Sequence, residues 1–451
     1  MISMRLSEVA HNIDGVFSGM DTVFAGVSID SRSIHSGNLF VAIKGERMDG
    51  HAFLSTVHDN KAAGAIVDTK VNDTDLPQIK VDNTLNAMSK LSNQWRSKFD
   101  IPVIAITGSN GKTTVKEMVG SILGLNAKIL ATKGNLNNHI GVPLTLFELG
   151  DAHKFAVIEM GANHAGEIAR LCEITMPTVA LITQCAPAHL EGFISEEGVA
   201  KAKAEIFSGL SSNGTAIINA DDKYAGMWTE TAKQNKTLYF GIKNKTGIYA
   251  ENIRFNKKNG RTEFEIQFPE TVLTISLSLI GEHNVLNSLA AAACCYSVGV
   301  PVLQIKQGLE NMICVPGRLE RIKGLSGSTI FNDTYNANPS SLEAALKVMS
   351  GIDGARWLIF GDMGELGAEA ENFHRLAGSL SRKYKIDRLF TVGELSQFAT
   401  EEFGEGSIHF DSVDDLLSHL IDEISADVTV LIKGSRFMRM EQLVDGLRRG
   451  N

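Results

Sequence analysis

The chain has 451 residues, too many for one hydrophobic core, so the length alone sets an expectation of roughly two to four domains. Its formal net charge is −9, with 43 Lys and Arg against 52 Asp and Glu, which excludes the basic footprint of a general nucleic-acid binder and requires any anionic ligand to be held locally. The five cysteines, at 172, 185, 294, 295 and 314, lack metal-ligand spacing and read as reduced core thiols of a cytoplasmic protein, and no apolar stretch reaches membrane-spanning length.

Residues 1–98 alternate short strands and turns, with strands expected at 26–32, 38–43 and 63–68. Ser31, Arg32 and the Asp49-Gly50-His51 turn stand at strand ends, where α/β units hold ligands; as turn polars of a small domain they would need no ligand. A helix over 83–99, closed by Ile101-Pro102, is the expected linker to a central domain.

An apolar β-branched run at 103–107 then opens into Gly108-Ser109-Asn110-Gly111-Lys112-Thr113-Thr114. This is a phosphate-binding loop: backbone N–H groups converge on phosphate oxygens at a helix N-terminus, Lys112 adds a charge aimed into a solvated turn, and the Thr113 hydroxyl can ligate Mg²⁺. The loop is shorter than a Walker A motif, because Ile106 stands where the first glycine is expected; the strand before it and the helix after it give the match its weight. Further strands at 128–132, 155–160, 179–184 and 215–219, separated by helical stretches, imply a doubly wound, mainly parallel sheet.

Polar residues cluster just past these strands: Asn135, Asn137, Asn138 and His139 after the second, Glu159 within the third, His189 after the fourth. A carboxylate at the position of Glu159 needs a partner, either a metal ion shared with Thr113 or a buried basic group. Lys201 and Lys203 follow on one helical stretch; as bare lysines they would form a solvated face, but a lysine beside divalent cations can instead take up CO₂ and become a carboxylate-like ligand. Between 245 and 280 the period changes to antiparallel alternation, at 264–268 and 273–279, and Gly281 to Asn287 opens an alanine-rich helix. Beyond 315–318 a strand-then-glycine rhythm recurs at 357–362, 389–393 and 428–435, a third α/β domain without a phosphate loop of its own.

Thr107 to Thr114, Glu159-Met160-Gly161, His189, the Lys203 helix, Gly281-x-His283-Asn284-x-x-Asn287, Pro316-Gly317-Arg318 and Asp333 stand in an order and spacing that resembles the Mur ligases, the ATP-dependent amino-acid or peptide ligases of peptidoglycan precursor synthesis, over essentially the whole chain. The resemblance implies an α/β protein of three domains. Residues 1–98 would bind a UDP-sugar; 99–314 would form a doubly wound ATP-binding domain with added antiparallel strands; the Rossmann-like 315–451 would close over ATP and bind an incoming dipeptide. By the same resemblance Gly108, Ser109, Asn110, Gly111, Lys112, Thr113 and Thr114, with Asn284, Asn287, Arg318 and Asp333, would hold ATP. Thr113 and Glu159 would bind one Mg²⁺, and His189 with a carbamylated Lys203 a second. Lys112, His189 and Lys203 would be catalytic. The resemblance prefers Lys203 to Lys201 by its spacing to Glu205-Ile206-Phe207. Ser31, Arg32, Asp49, Gly50 and His51 would hold the UDP-sugar, and Asn336, Asn338, Lys433 and Ser435 would lie on the dipeptide side.

Which ligase is decided at the two ends. A member adding a single diamino acid would carry an arginine after the proline of its Asp-Asn-Pro-Arg motif, whereas here Asn338-Pro339 is followed by Ser340. The resemblance therefore implies the joining of D-alanyl-D-alanine to UDP-N-acetylmuramoyl-tripeptide through an acyl phosphate; a monomer is expected, though no residue pattern fixes the oligomeric state. Three alternatives stay open: the diamino-acid-adding ligase; a folylpolyglutamate synthetase-like enzyme, which would lack the UDP-binding domain; and a nucleotide-hydrolysing switch or motor, which would need no acceptor. His139 stands where many relatives would carry an acidic residue.

Overall fold

The computed structural model describes residues 1–187, 190–193, 195–257 and 259–448, with the backbone alone at 190 and 191. Strands that read as unbroken apolar runs are covered on both faces: every residue of Val103–Thr107 and Val179–Ile182 is buried. They lie inside a nine-stranded sheet whose parallel part runs Lys128–Ala131, His153–Glu159, Val103–Thr107, Val179–Ile182, Thr215–Asn219, Lys236–Gly241 and Ile248–Asn256. Arg261–Gln267 and Val272–Leu277 extend it antiparallel, as the change of period requires.

The alternation of side chains along a strand separates the two faces of this sheet. Ile104 and Ile106 pack with Lys112–Leu123 and the alanine-rich Glu282–Ser297, while Val103 and Ala105 face Gly141–Phe147, Glu167–Thr175 and Glu196–Ser208. Small side chains at 290–293 let the long helix sit close against the strands.

The first segment forms a five-stranded sheet in the order Val16–Ser18, Gln78–Lys80, Gly64–Val67, Leu39–Val41, Val27–Ser28, parallel except for its first pair. The strand expected at 26–32 is broken: Gly26 turns left-handed (φ +82°) between Val23–Ala25 and Val27–Ser28, and the chain reaches Ser31 as a turn. The linker helix is Thr84–Arg96, capped by the Asn83 side-chain oxygen, which accepts the Asn86 N–H at 2.8 Å. It is bolted to the central segment: the buried Arg96 donates to the Thr175 carbonyl at 3.0 Å and Trp95 Nε1 to that of Leu149 at 3.1 Å.

The last segment is a six-stranded sheet, Glu320–Lys323, Thr329–Asp333, Val428–Lys433, Ala355–Gly361, Arg388–Val392, Ser407–Phe410, parallel after its first pair. Of the cysteines, Cys172, Cys294 and Cys295 are core residues as expected, but Cys185 and Cys314 are only half-buried, since both lie on connections between elements; all five are free. Among the described residues no helix is long and apolar enough to cross a membrane.

Candidate active site

The C-terminal ends of the central strands open onto a cleft of about 720 Å³, closed on its far side by the last segment. Two glycines make the phosphate loop. Gly108 (φ +150°) passes so close to Thr183 that a Cβ would lie 1.8 Å from Oγ1, and one on Gly111 (φ +83°) would lie 2.4 Å from Asn287 Oδ1. Lys112 is not in a solvated turn. Its ammonium folds back onto the Gly108 carbonyl at 2.7 Å, and burial lowers its pKa, opposed by Glu159 and reinforced by Arg318.

Glu159, 3 % exposed, accepts from Thr113 Oγ1 and from Asn137 Nδ2, both at 2.9 Å, while its N–H is held by Thr132 Oγ1 at 3.0 Å. Its side-chain partners are thus neutral, and among the described residues no cation lies within ion-pair distance of it. The nearest basic group that acts on it is the Lys112 ammonium, which attracts it through space without a direct ion pair among the described residues. A hydroxyl and a buried carboxylate on one wall are hard-oxygen donors that fit a divalent cation. Lys203, also 3 % exposed, lines the same cleft, and burial together with the charge of Lys112 lowers its pKa to about 7. Lys201 points outward and pairs with Glu197 at 2.7 Å. His189 lies outside the described residues.

The last segment reaches across. Arg318 donates from Nη2 to Thr113 Oγ1 at 2.8 Å and stacks 4.2 Å from the ring centre of Tyr335, while its buried Nε has no partner among the described residues. Asn338 caps the helix Pro339–Met349 and donates to Asn110 Oδ1 at 2.7 Å; Asn110 in turn donates to Ser340 Oγ at 2.7 Å. Asp333 and the buried Lys433 pair at 2.5 Å, and Lys433 also donates to the Asn336 carbonyl at 3.0 Å. Half-buried beside this pair, His283 has its pKa lowered to about 4 by burial and stays neutral. Asn287 donates to Asn284 Oδ1 at 3.2 Å, and Asn284 to the Ile280 carbonyl at 2.9 Å.

Several of the expected site residues are tied to other parts of the protein, and not all of them line this cleft. Ser109 lines the cleft, but its hydroxyl bonds the Ala186 backbone and its N–H the Gln184 carbonyl, so it anchors the loop. The Asn110 side chain is spent on Asn338 and Ser340 of the last segment. Ser435 is buried away from the cleft lining and accepts the Gly364 N–H at 2.8 Å. Thr114, Asn284, Asn287, Asn336 and Asn338 do line it. None of Ser31, Arg32, Asp49, Gly50 and His51 does: Arg32 is paired with Asp30 at 2.7 Å, and His51 is held between Asp49 at 2.6 Å and the Asp68 N–H at 3.2 Å. Gly50 is required because a Cβ would meet the Ile43 N at 2.8 Å. The cleft also takes in Arg170, Tyr335 and Ser340, which the sequence did not single out; Ser340, directly after Asn338-Pro339, had the one available signal.

A glycine-rich phosphate loop, a buried carboxylate hydrogen-bonded to its threonine and an arginine delivered by a second α/β unit define a nucleotide-handling enzyme that works between segments. The chain belongs to the Mur ligase family: the models described as the Mur ligase family catalytic domain, the Mur ligase middle domain and the Mur ligase glutamate ligase domain match residues 23–96, 106–295 and 317–436. It is 42% identical to the UDP-N-acetylmuramoyl-tripeptide--D-alanyl-D-alanine ligase of Escherichia coli (strain K12), over 99% of each chain. Among solved structures it is similar to the UDP-N-acetylmuramoylalanyl-D-glutamyl-2,6-diaminopimelate--D-alanyl-D-alanyl ligase of Acinetobacter baumannii (34% identity, TM-score 0.89, 99% and 98% of the chains). It is also similar to MurF ligase from Thermotoga maritima in complex with ADP (27% identity, TM-score 0.84, 94% and 96%).

Proposed function

We propose that this chain is an ATP-dependent ligase that joins D-alanyl-D-alanine to the terminal carboxylate of UDP-N-acetylmuramoyl-tripeptide, in peptidoglycan precursor synthesis. The observation that carries this is full-length likeness to ligases of that name combined with a cleft in which Lys112, Thr113, Glu159 and Arg318 converge. Residues 1–98 take the UDP-sugar, 99–314 take ATP, and 315–451 close the cleft and present the dipeptide. The hydrogen bonds of Asn110 with Asn338 and Ser340 are the contacts such closure makes.

A carboxylate is a poor acyl donor, so the γ-phosphoryl of ATP first moves onto it. Lys112, released from the Gly108 carbonyl, and Arg318, with a buried donor to spare, stabilise charge on the transferring group. Thr113 and Glu159 would hold one Mg²⁺, and His189 with carbamylated Lys203 a second; such cations would supply charge that offsets the phosphates during transfer. Lys203 is suited to carbamylation because CO₂ adds only to a neutral amine, and a pKa near 7 leaves much of this lysine neutral. The dipeptide amine then attacks the acyl phosphate, and phosphate leaves from the tetrahedral intermediate. Acceptance of a dipeptide is supported by the position after Pro339: Ser340 is short and tied to Asn110, and offers no guanidinium to a side-chain carboxylate.

The test is product identification by mass spectrometry. With ATP and UDP-N-acetylmuramoyl-tripeptide the purified enzyme is expected to consume D-alanyl-D-alanine and to ignore free lysine or diaminopimelate. Comparable turnover with a single diamino acid would overturn the reading, as would ATP hydrolysis indifferent to any acceptor.

A further inference from the structure

The strongly basic side chains lining the cleft are Lys112, Arg170, Lys203, Arg318 and Lys433. Four of them have an evident use at the phosphoryl end. Lys112 and Arg318 touch the phosphate loop, Lys203 is buried near Lys112, and Lys433 neutralises Asp333. Arg170 differs from all of these. It is exposed, on the helix Glu167–Thr175, and among the described residues no carboxylate stands within ion-pair distance of it. Glu167, one turn earlier, is occupied by the N–H groups of Asn163 and His164. The one hydrogen bond of the Arg170 side chain among the described residues runs from Nη2 to Asn86 Oδ1 at 2.6 Å, on the linker helix of the first segment, and leaves the rest of the guanidinium fork free.

We propose that Arg170 is a specificity-determining residue that clamps a carboxylate of the acyl-donor peptide other than the one that reacts. This rests on the reading that the donor is a UDP-linked tripeptide. A donor held at its UDP end by the first segment, with its far carboxylate at the phosphate loop, has to cross the seam between the first and central segments. Arg170 and Asn86 face each other on that seam, and Leu85 beside Asn86 lines the cleft. The peptide of an alanyl-D-glutamyl-2,6-diaminopimelate type carries two free carboxylates besides the reacting one, on the glutamyl residue and on the distal end of the diaminopimelate. A peptide ending in lysine keeps only the glutamyl one. A planar guanidinium oriented by Asn86 is the group that takes such a carboxylate through two parallel hydrogen bonds.

The experiment is steady-state kinetics of the full-length enzyme with donors ending in diaminopimelate or in lysine, at saturating ATP and D-alanyl-D-alanine. Arg170→Gln keeps a hydrogen-bonding side chain for Asn86 and removes the charge; it is expected to raise the donor KM on the order of 10- to 100-fold, with kcat and the KM for ATP held within about threefold. Arg170→Lys should fall between, and Asn86→Ala should raise the donor KM less than Arg170→Gln. A rise confined to the diaminopimelate donor assigns the clamp to its distal carboxylate, and an equal rise for both assigns it to the glutamyl carboxylate. Donor KM values unchanged in Arg170→Gln, or a fall in kcat alone, would overturn the proposal and leave Arg170 as a strut between segments. Failure of the unaltered enzyme to turn over either donor would instead sink the functional reading beneath it.

Discussion

The phosphate loop and the Ser31-Arg32 corner are both polar turns that follow a strand, and they are built in opposite ways. In the first, charges are withdrawn from water: burial lowers the pKa of Lys112, the Glu159 carboxylate is hydrogen-bonded by the neutral Thr113 and Asn137 side chains, and Arg318 stacks on Tyr335 with a donor left over. In the second, Arg32 stands in solvent, its side chain 85 % exposed, and satisfies itself on Asp30, whose carboxyl it holds at about 2. A ligand arriving at the first site meets unspent charge in a medium of low dielectric. One arriving at the second has to displace an existing pair that water and salt already screen. The difference predicts a division of labour: substitutions at the buried site should act on turnover, and those at the exposed corner on binding.

The largest effect is expected from Lys112→Ala. It should lower kcat by about three orders of magnitude or more while leaving the melting temperature unchanged or raised, because a desolvated ammonium is removed. Single-turnover phosphate release and a thermal melt check both halves, and a variant with most of its activity would erase the contrast.

Next comes Lys203→Ala, expected to be nearly inactive and partly rescued by acetate or formate, whereas Lys201→Ala, at an exposed ion pair, should be mild. The pH dependence has a definite sign. The folded pKa of Lys203, about 7, lies below its ordinary 10.5, so between these values the unfolded chain holds a proton that the folded chain does not, and stability rises with pH across that window. Below a pH of about 7 the ammonium predominates and, at limiting bicarbonate, activity should fall. Urea titrations of the unaltered enzyme and Lys203→Met should show the slope lost in the variant; equal slopes would refute the buried, proton-shedding lysine.

The smallest effect should follow Arg32→Ala: a rise of about tenfold in KM for the UDP-tripeptide, shrinking as salt is raised, with kcat and the KM for ATP unmoved. A fall in kcat instead would mean that the exposed corner belongs to the chemistry and the division between the two sites is false.

Much of the fold was legible because its signals are local. The strands expected at 103–107 and 179–184 are buried on both faces over Val103–Thr107 and Val179–Ile182, the alternation expected at 264–268 and 273–279 becomes an antiparallel extension, and Asn83 caps the linker helix. The strand expected at 26–32 failed for an equally local reason, the left-handed Gly26. Ser109 and Ser435 show where local reading stops. Each sits in a motif that draws attention to its hydroxyl, and in each the hydroxyl is used by backbone from a distant segment, at Ala186 and Gly364.

The sequence by itself determined the phosphate loop, the sheet it ends and the order of the polar residues beyond each strand, because backbone conformation, glycine tolerance and apolar period act over a few neighbouring residues. Only the tertiary structure decided which of those residues share a wall. Arg318 meets Thr113 across 205 positions of chain, Asn338 meets Asn110 across 228, and Arg170 meets Asn86 across 84. A hydrogen bond is made or lost within a few tenths of an ångström, a distance set by how the sheets and their helices pack against one another and by no spacing along the chain.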